Sequence, residues 1–249
     1  MRQKLKRFRK CLWQILSNTE VYPRDNKYTS RPVENYNTLF SPFNIVEILK
    51  NIQSPQHEIR LLELGIGQGR VLMQLRKLFS EMELHGISQK KWQLLNNPDY
   101  IKQTAVYWNI FTESEVNQIK LPVLHFRDIN HGNLAFLPSN YFDLIISQVS
   151  FGYIHQKARL IEEFWRVLKP NGIALHDLDN FIIMNSGNSL ALKHFFEKIH
   201  QEGFQVKAYN MTLPFLHIQK NTEEPLSLKL TPYTIKYPIF ADPRDDVRK

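Results

Sequence analysis

Short apolar runs alternate with helical patterns along the middle of this chain, and this alternation restricts its fold more than any other feature. The strand-like runs span 59–64, 82–87, 121–126, 142–149 and 173–178, and the helical patterns span 70–79, 90–96, 156–168 and 189–201. Alternating strands and helices form a parallel sheet with helices on both faces, so the sequence predicts a doubly wound α/β domain.

The last two apolar runs, 204–210 and 213–219, are too close together to have a crossover helix between them. They are expected to pair as an antiparallel hairpin at one edge, which gives a seven-stranded, mostly parallel sheet. The stretch 98–120 is long for one connection, and Thr112 and Glu115 have the spacing of a capping box. An additional helix is therefore expected there.

We place this α/β domain at residues 41–220, and segments of different composition flank it. Residues 1–40 are expected to hold a basic amphipathic helix over 3–17, followed by an irregular, aromatic lid segment. Ser41 and Pro42 predict the N-cap and first turn of the next helix. Residues 221–249 contain four prolines and are expected to form an extended strap across the surface.

The formal net charge of +8 arises mainly at one end of the chain. The first ten residues hold six basic side chains and no acid, whereas the rest holds 26 basic and 24 acidic side chains. A body so near neutrality lacks the electrostatic footprint of phosphate-backbone binding. The basic arm could contact an anionic membrane surface or RNA, act as an import signal, or simply pack on the domain.

Composition narrows the class of protein further. Hydrophobic residues make up 43% of the chain and charged residues 22%, which excludes wholesale disorder. The single cysteine, Cys11, can form neither an internal disulfide nor a thiolate metal site, so a reducing, cytoplasmic location and no metal are expected. No apolar run approaches the ~18 residues of a membrane span.

Three glycines, Gly65, Gly67 and Gly69, fall within five residues, directly between a predicted strand and a predicted helix. Glycine permits a sharp turn there and lets a ligand approach the backbone without meeting a Cβ atom. The following helix directs its free N–H groups and its dipole toward such a ligand. Glu63, at the end of the apolar strand, needs solvent or a partner to stay ionised, and a cationic ligand group would be one.

Glu63 and these glycines form an acid followed by Gly-x-Gly-x-Gly, which resembles the first motif of the class I S-adenosylmethionine-dependent methyltransferases. Three further segments match that family in order: 125–129, 137–147, and 162–172 with its Arg-Val-Leu-Lys-Pro-Asn-Gly ending. The resemblance covers about residues 41–219. It implies a Rossmann-like domain that binds S-adenosyl-L-methionine.

The resemblance also implies roles for individual residues at the carboxyl ends of the strands. Glu63 and the glycine loop would hold the methionine end of the cofactor, and Ser147 and Gln148 would line the cleft near its sulfonium. Asp128 would accept a hydrogen bond from the adenine amino group, with the Ile129 backbone beside it.

The second strand departs from the family pattern. Most members end it with an acid that binds the ribose, but here Ser88 stands at that position, followed by Gln89. Ser88 and Gln93 have the spacing that the cyclopropane fatty acid synthase group uses instead. By that likeness, Ser88, Gln89 and Gln93 belong to the cofactor-binding set.

Methyl transfer from a sulfonium is an in-line displacement that depends mostly on alignment of the reacting atoms. The acceptor is expected to be a small or lipid-like molecule beneath the lid segment. Tyr153 and His176 are the candidate general bases, with Asp177 next to the latter, although His176 fits a hydrogen-bonded structural histidine better.

Other functions remain open at this stage. Residues 147–150 contain no Asn-Pro-Pro-Tyr or Asp-Pro-Pro-Tyr, which argues against methylation of nucleobase or glutamine amines. The missing ribose acid is compatible with a non-catalytic module that binds the cofactor or a partner. The basic arm is compatible with an enzyme directed to RNA or protein.

Overall fold

The computed structural model describes residues 30–53, 58–89, 97–129, 132–148, 157–177, 206–209 and 215–226. Within these ranges the chain forms six helices and seven strands. They are α1 (Val33–Leu39), α2 (Ile45–Ile52), β1 (Arg60–Leu64), α3 (Arg70–Leu78), β2 (Glu83–Ser88), α4 (Pro98–Tyr107), α5 (Glu113–Val116), β3 (Val123–Phe126), β4 (Phe142–Ser147), α6 (Lys157–Val167), β5 (Leu168–Asp177), β6 (Val206–Tyr209) and β7 (Phe215–Gln219).

All seven strands belong to one sheet with the order β3-β2-β1-β4-β5-β7-β6. The first five strands in this order are parallel, whereas β7 lies antiparallel between β5 and β6. The predicted doubly wound, seven-stranded, mostly parallel sheet with an antiparallel edge pair is therefore confirmed. Leu64 is in register with Ile87 on one side and with Ser147 on the other, so the carboxyl ends of β1, β2 and β4 meet at one edge.

Apolar side chains cover both faces of the sheet. Leu61 and Ile146 pack with side chains of α1, α2 and α3 on one face, and Leu62 and Ile145 pack with Phe164 and other side chains of α6 on the opposite face. Full burial of one such side chain contributes about 1.5–3 kcal/mol. Because side chains alternate along a strand, Glu63 shares the face of Leu61 and points toward α1.

Two local predictions near the start of the domain are wrong. The segment predicted as loop contains helix α1, whose Val33, Tyr36 and Leu39 are buried at helical spacing. Tertiary burial stabilises this short helix, although Pro32 at its N-cap position provides no side-chain hydrogen bond. The next helix is capped by Asn44 rather than Ser41, because the Asn44 side chain accepts hydrogen bonds from two backbone N–H groups.

The helix predicted from the capping box is present as α5, with the Thr112 and Glu115 side chains each bonding the other's backbone. The longer helix α4 before it was not predicted. It starts at Pro98, with the Asn97 side chain as its N-cap, a combination that is typical of helix starts. These two helices account for the unusual length of the connection between β2 and β3.

Several predictions fall outside the described residues. They concern the basic helix over 3–17, the patterned stretches 90–96 and 189–201, and most of the proline-rich strap. Among the residues that the structure does describe, none of the helices has the length and apolar character needed to span a bilayer.

Candidate functional site at the carboxyl edge of the sheet

The glycine loop turns the chain from β1 into α3. Gly65, Gly67 and Gly69 have φ angles of 75°, 51° and 73°, a region that other residues rarely adopt. A Cβ atom on Gly69 would lie 2.7 Å from the Cδ1 atom of Ile101 in α4. The loop is therefore fixed by backbone conformation and by close packing, and it presents the first turn of α3 at the edge where ligands of parallel sheets bind.

Glu63 is buried at the end of β1, with only 1% of its surface exposed. The Tyr36 hydroxyl of α1 donates a hydrogen bond of 2.5 Å to its Oε1 atom. Its Oε2 atom is also buried and has no hydrogen-bond partner among the described residues. Burial raises the pKa of Glu63 to about 8, and the hydrogen bond from Tyr36 and the charge of Arg31 only partly offset this.

Two glutamines at the same edge of the sheet also carry buried side-chain atoms without partners within the described ranges. Both amide atoms of Gln68, inside the glycine loop, are buried without a hydrogen bond, and so is Oε1 of Gln148 after β4. Buried polar atoms in this condition cost free energy unless a ligand or water satisfies them. An acid, two amides and a helix N-terminus suit a ligand that carries both an ammonium and a carboxylate group.

Helix α1 covers the acid from the side of the sheet that carries α3. The Val33 N–H donates to Oε1 of Gln74 in α3 at 2.8 Å, which joins the two helices. Burial, followed by the charge of Glu63, raises the pKa of Tyr36 well above its usual value, with Asp177 adding to the effect. Tyr36 therefore remains protonated and serves as a permanent donor to Glu63.

The proposed ribose-binding residues lie at the end of β2. Ser88 is buried, and its carbonyl accepts a hydrogen bond of 3.0 Å from the Arg127 N–H. Gln89 follows it and is half-buried, whereas Gln93 lies outside the described residues. Ser88 thus occupies the position that the sequence indicated, but its contact with a ribose stays a prediction.

Asp128 and Ile129 follow β3 and differ in exposure. Asp128 is exposed, whereas Ile129 is buried in the same apolar cluster as Leu64 and Ile87. Ile129 therefore anchors the loop after β3 beneath the ends of β1 and β2. The Asp128 carboxylate lies at the solvent-facing rim, and its contact with adenine stays a prediction.

Ser147 and Gln148 lie at the end of β4, next to β1. Ser147 is fully buried, and its hydroxyl donates to the Leu64 carbonyl at 3.3 Å. Gln148 is half-buried, with the Oε1 atom described above facing no partner in the described part of the chain. Ser147 therefore joins two strands, whereas Gln148 carries a buried acceptor that has no partner among the described residues.

The structure describes only one of the two candidate general bases. Tyr153 lies outside the described residues. His176 is buried in β5, in register with Ser147, and its ring packs against Phe164 of α6 at 5.3 Å between centroids. The neighbouring Asp177 is also buried and belongs to the opposite face of the sheet, the face that α1 covers. The catalytic assignment of His176 stays a prediction.

Sequence reasoning missed the hydrogen bond from Tyr36 to Glu63 and the side-chain amide of Gln68, which is buried without a partner among the described residues. A signal for Gln68 was present, because it lies between Gly67 and Gly69 of the loop that the sequence singles out. Tyr36 had no such signal, since its bond to Glu63 joins residues 27 positions apart. Only the packing of α1 on the sheet brings them together.

A model of a known family, described as "Methyltransferase domain", matches residues 62–176. This match begins within β1 and ends within β5, so it includes the glycine loop, Ser88, Asp128, Ser147 and His176. No curated protein matches the sequence.

Solved structures resemble the chain at low sequence identity. A Methanococcus maripaludis protein, provisionally assigned as an S-adenosyl-L-methionine-dependent methyltransferase, is 19% identical, with a TM-score of 0.47 over 77% of this chain and 91% of its own. An arsenic(III) S-adenosylmethionine methyltransferase from Chlamydomonas reinhardtii is 17% identical, with a TM-score of 0.44 over 76% and 73%. The Haemonchus contortus phosphoethanolamine N-methyltransferase 2 is 19% identical, with a TM-score of 0.43 over 73% of this chain and 40% of its own.

Proposed function

We propose, because residues 62–176 match the model of a methyltransferase domain, that the protein transfers a methyl group from S-adenosyl-L-methionine in line to a small or lipid-like acceptor. The observation that carries this proposal is the buried Glu63 carboxyl group beside the glycine loop. One of its oxygens has no partner among the described residues, and a ligand cation would satisfy it.

The cofactor supplies, when bound, an electrophilic methyl group on a sulfonium. The protein's own contribution is to bind and orient. The backbone of the glycine loop and the first turn of α3 would hold the carboxylate of the methionine end, and Glu63 would bind its ammonium. Ser147 keeps the ends of β1 and β4 together through its bond to Leu64, which fixes the edge on which both ligands would rest.

Helix α1 would exclude water from this edge. Tyr36 of α1 and Phe40, the residue that caps its C-terminus, are buried, and Phe40 packs edge-on against Phe215 of β7 with 5.3 Å between ring centroids. An apolar cover strengthens the electrostatic contacts beneath it, because it lowers the local dielectric constant. This cover is consistent with an acceptor of modest size and apolar or planar character, rather than a nucleic acid strand.

Calorimetric titration with S-adenosyl-L-methionine tests the first half of the proposal. Saturable binding is expected, and Gly67→Arg should abolish it by filling the loop with a side chain. Asn171→Arg is the matched control, because Asn171 is exposed, also has a positive φ angle of 66°, and lies at the opposite end of β5 from the site. Absence of binding by a folded wild-type sample would reject the proposal.

An assay of methyl transfer to an acceptor tests the second half of the proposal. The protein should release S-adenosylhomocysteine in the presence of an extract of small and lipid-like metabolites, and the product should gain about 14 Da in a mass spectrum. Gly67→Arg should give no product under the same conditions, and Asn171→Arg should match the wild type. Binding without any product across such extracts would instead favour the non-catalytic module.

A further inference from the structure

Tyr36 is held in place independently of its hydroxyl group. Its side chain is 2% exposed and its ring meets that of Phe40 edge-on, with 6.0 Å between centroids. Phe40 in turn packs on Phe215 of β7. The phenol is therefore anchored by apolar contacts, and replacement by phenylalanine removes the hydroxyl while leaving these contacts in place.

The two oxygens of Glu63 are not equivalent. Oε1 accepts the 2.5 Å hydrogen bond from Tyr36, whereas Oε2 is buried and faces no partner among the described residues. A carboxyl group can rotate about its side-chain bonds, but the bond to Tyr36 fixes one end of it. The acid therefore presents a single oxygen to a ligand, in one direction.

Few other charges act on this pair in the described part of the chain. Arg31, which is buried next to α1, lowers the pKa of both Glu63 and Tyr36, and Asp177 at the end of β5 raises the pKa of Tyr36. Glu63 and Tyr36 thus lie in a buried site where the charges of Arg31 and Asp177 contribute to the electrostatic field. A second cation from a ligand would favour the ionised form of Glu63.

We propose that Tyr36 is a positioning residue of the cofactor site: its hydroxyl holds Oε1 of Glu63, so that Oε2 alone binds the ammonium group of the cofactor. This inference rests on the proposed function. It assigns to α1 a direct part in cofactor binding, beyond that of a cover.

A consequence is that cofactor binding releases a proton. In the absence of a ligand cation, Glu63 is largely protonated at pH 7, because burial raises its pKa to about 8. Binding of an ammonium group to the carboxylate form displaces that proton, so affinity should rise with pH and level off above about pH 8. Loss of the Tyr36 hydroxyl would raise the pKa of Glu63 and move this rise to higher pH.

The test is calorimetric titration with S-adenosylhomocysteine, a stable probe that carries the same ammonium group, between pH 6.5 and 9. Tyr36→Phe should bind about tenfold more weakly at pH 7, the range expected for loss of a hydrogen bond to a charged group, and the deficit should shrink toward pH 9. Tyr141→Phe is the matched control, because Tyr141 also donates to a carboxylate, Glu83, at 2.7 Å and belongs to a different cluster.

Glu63→Gln completes the design. It should remove the proton release that the wild type shows in paired buffers of different ionisation enthalpy. Adding Tyr36→Phe to Glu63→Gln should cost little further affinity, because the two residues act through one bond. Any pH dependence that persists in Glu63→Gln belongs to the probe and is subtracted.

The possible results separate the two proposals. If the wild type binds and Tyr36→Phe loses affinity by the same factor at every pH, or loses none, the positioning role is overturned and the proposed function stands. If the folded wild type does not bind at all, both are overturned. Should Tyr36→Phe fail to fold, absence of proton release from the wild type at pH 7 would by itself contradict the inference.

Discussion

The Ser147 hydroxyl donates a hydrogen bond of 3.3 Å to the Leu64 carbonyl, across the gap between β4 and β1. This carbonyl belongs to the last residue of β1, immediately before the glycine loop. The bond therefore joins the two strands at the point where the candidate site begins. It explains why a polar side chain at this position is fully buried.

Replacement of Ser147 by alanine should lower the free energy of unfolding by about 1 kcal/mol, because the Leu64 carbonyl would lose a buried donor. Urea unfolding measures this. The same variant should bind S-adenosylhomocysteine only a few-fold more weakly, since Glu63 and the glycines are unchanged. A loss of binding without any loss of stability would mean that Ser147 contacts the ligand directly.

Replacement of Gly69 by alanine should destabilise the protein by about 1–3 kcal/mol, because a Cβ atom there meets Ile101 at 2.7 Å and the backbone has a positive φ angle. Ile101→Val removes the contacting Cδ1 atom. Urea unfolding of the double variant should therefore show a smaller loss than the sum of the two single variants. Strict additivity would indicate that backbone strain alone is responsible.

The His85–His125 pair should make stability depend on pH. Nδ1 of His85 lies 2.9 Å from Nε2 of His125. Burial, then the charges of His85 and Arg127, lowers the pKa of His125 to about 4. An unfolded chain has a histidine pKa of about 6.5, so it binds more protons than the folded protein between about pH 6.5 and 4, and stability falls as pH falls through that range.

The size of this effect is reduced by solvent, because the His125 ring is only half-buried, and about 1–2 kcal/mol is expected. Urea unfolding at pH 7, 5.5 and 4.5 measures it. The variant His125→Gln keeps a hydrogen-bonding atom beside His85 and should show a flatter profile in this range. Glu83, whose pKa is lowered to about 2, begins to lose its stabilising effect near its unfolded pKa of about 4.3, but both proteins carry Glu83 and its contribution largely cancels in the comparison. An unchanged slope in the variant would contradict the prediction.

Arg166 should be far more important for stability than an exposed ion pair. Its guanidinium donates to the carbonyls of Leu134 and Leu137 and to the Glu163 carboxylate, at 2.9–3.0 Å. Arg166→Ala should cost about 2–3 kcal/mol, because these acceptors lose charged donors. Lys77→Ala, which breaks an exposed bridge to Glu115, should cost much less. Equal losses for the two variants would show that the Arg166 contacts exchange with water at no cost.

The regular parts of the fold could be predicted because their signals are local. The alternation of apolar runs with helical patterns is visible in short windows and predicts a parallel sheet, whereas the order of the strands within that sheet comes from the structure. The glycine loop was equally accessible, since Gly65, Gly67 and Gly69 need positive φ angles wherever the chain turns so sharply. The capping box of Thr112 and Glu115 likewise depends on residues three positions apart.

Helix α1 and the cap of α2 could not be predicted in the same way. The seven residues Val33–Leu39 have little helical preference of their own and are stabilised by burial against the sheet. Asn44 and Ser41 are both good N-caps, and the choice between them depends on how the chain leaves α1. The formation of α1 and the choice of N-cap depend on tertiary contacts, which a short window of sequence does not contain.

The sequence by itself determined the succession of strands and helices along the chain, the position of the glycine loop and the presence of an acid at the end of β1. Tertiary structure decided how that acid behaves. It placed Tyr36 on Oε1 of Glu63, buried Oε2, and bonded Ser147 to Leu64, contacts between residues 27 and 83 positions apart. The physical reason is that backbone conformation responds to neighbours along the chain, whereas the charge state of a buried carboxyl group depends on everything that packs around it.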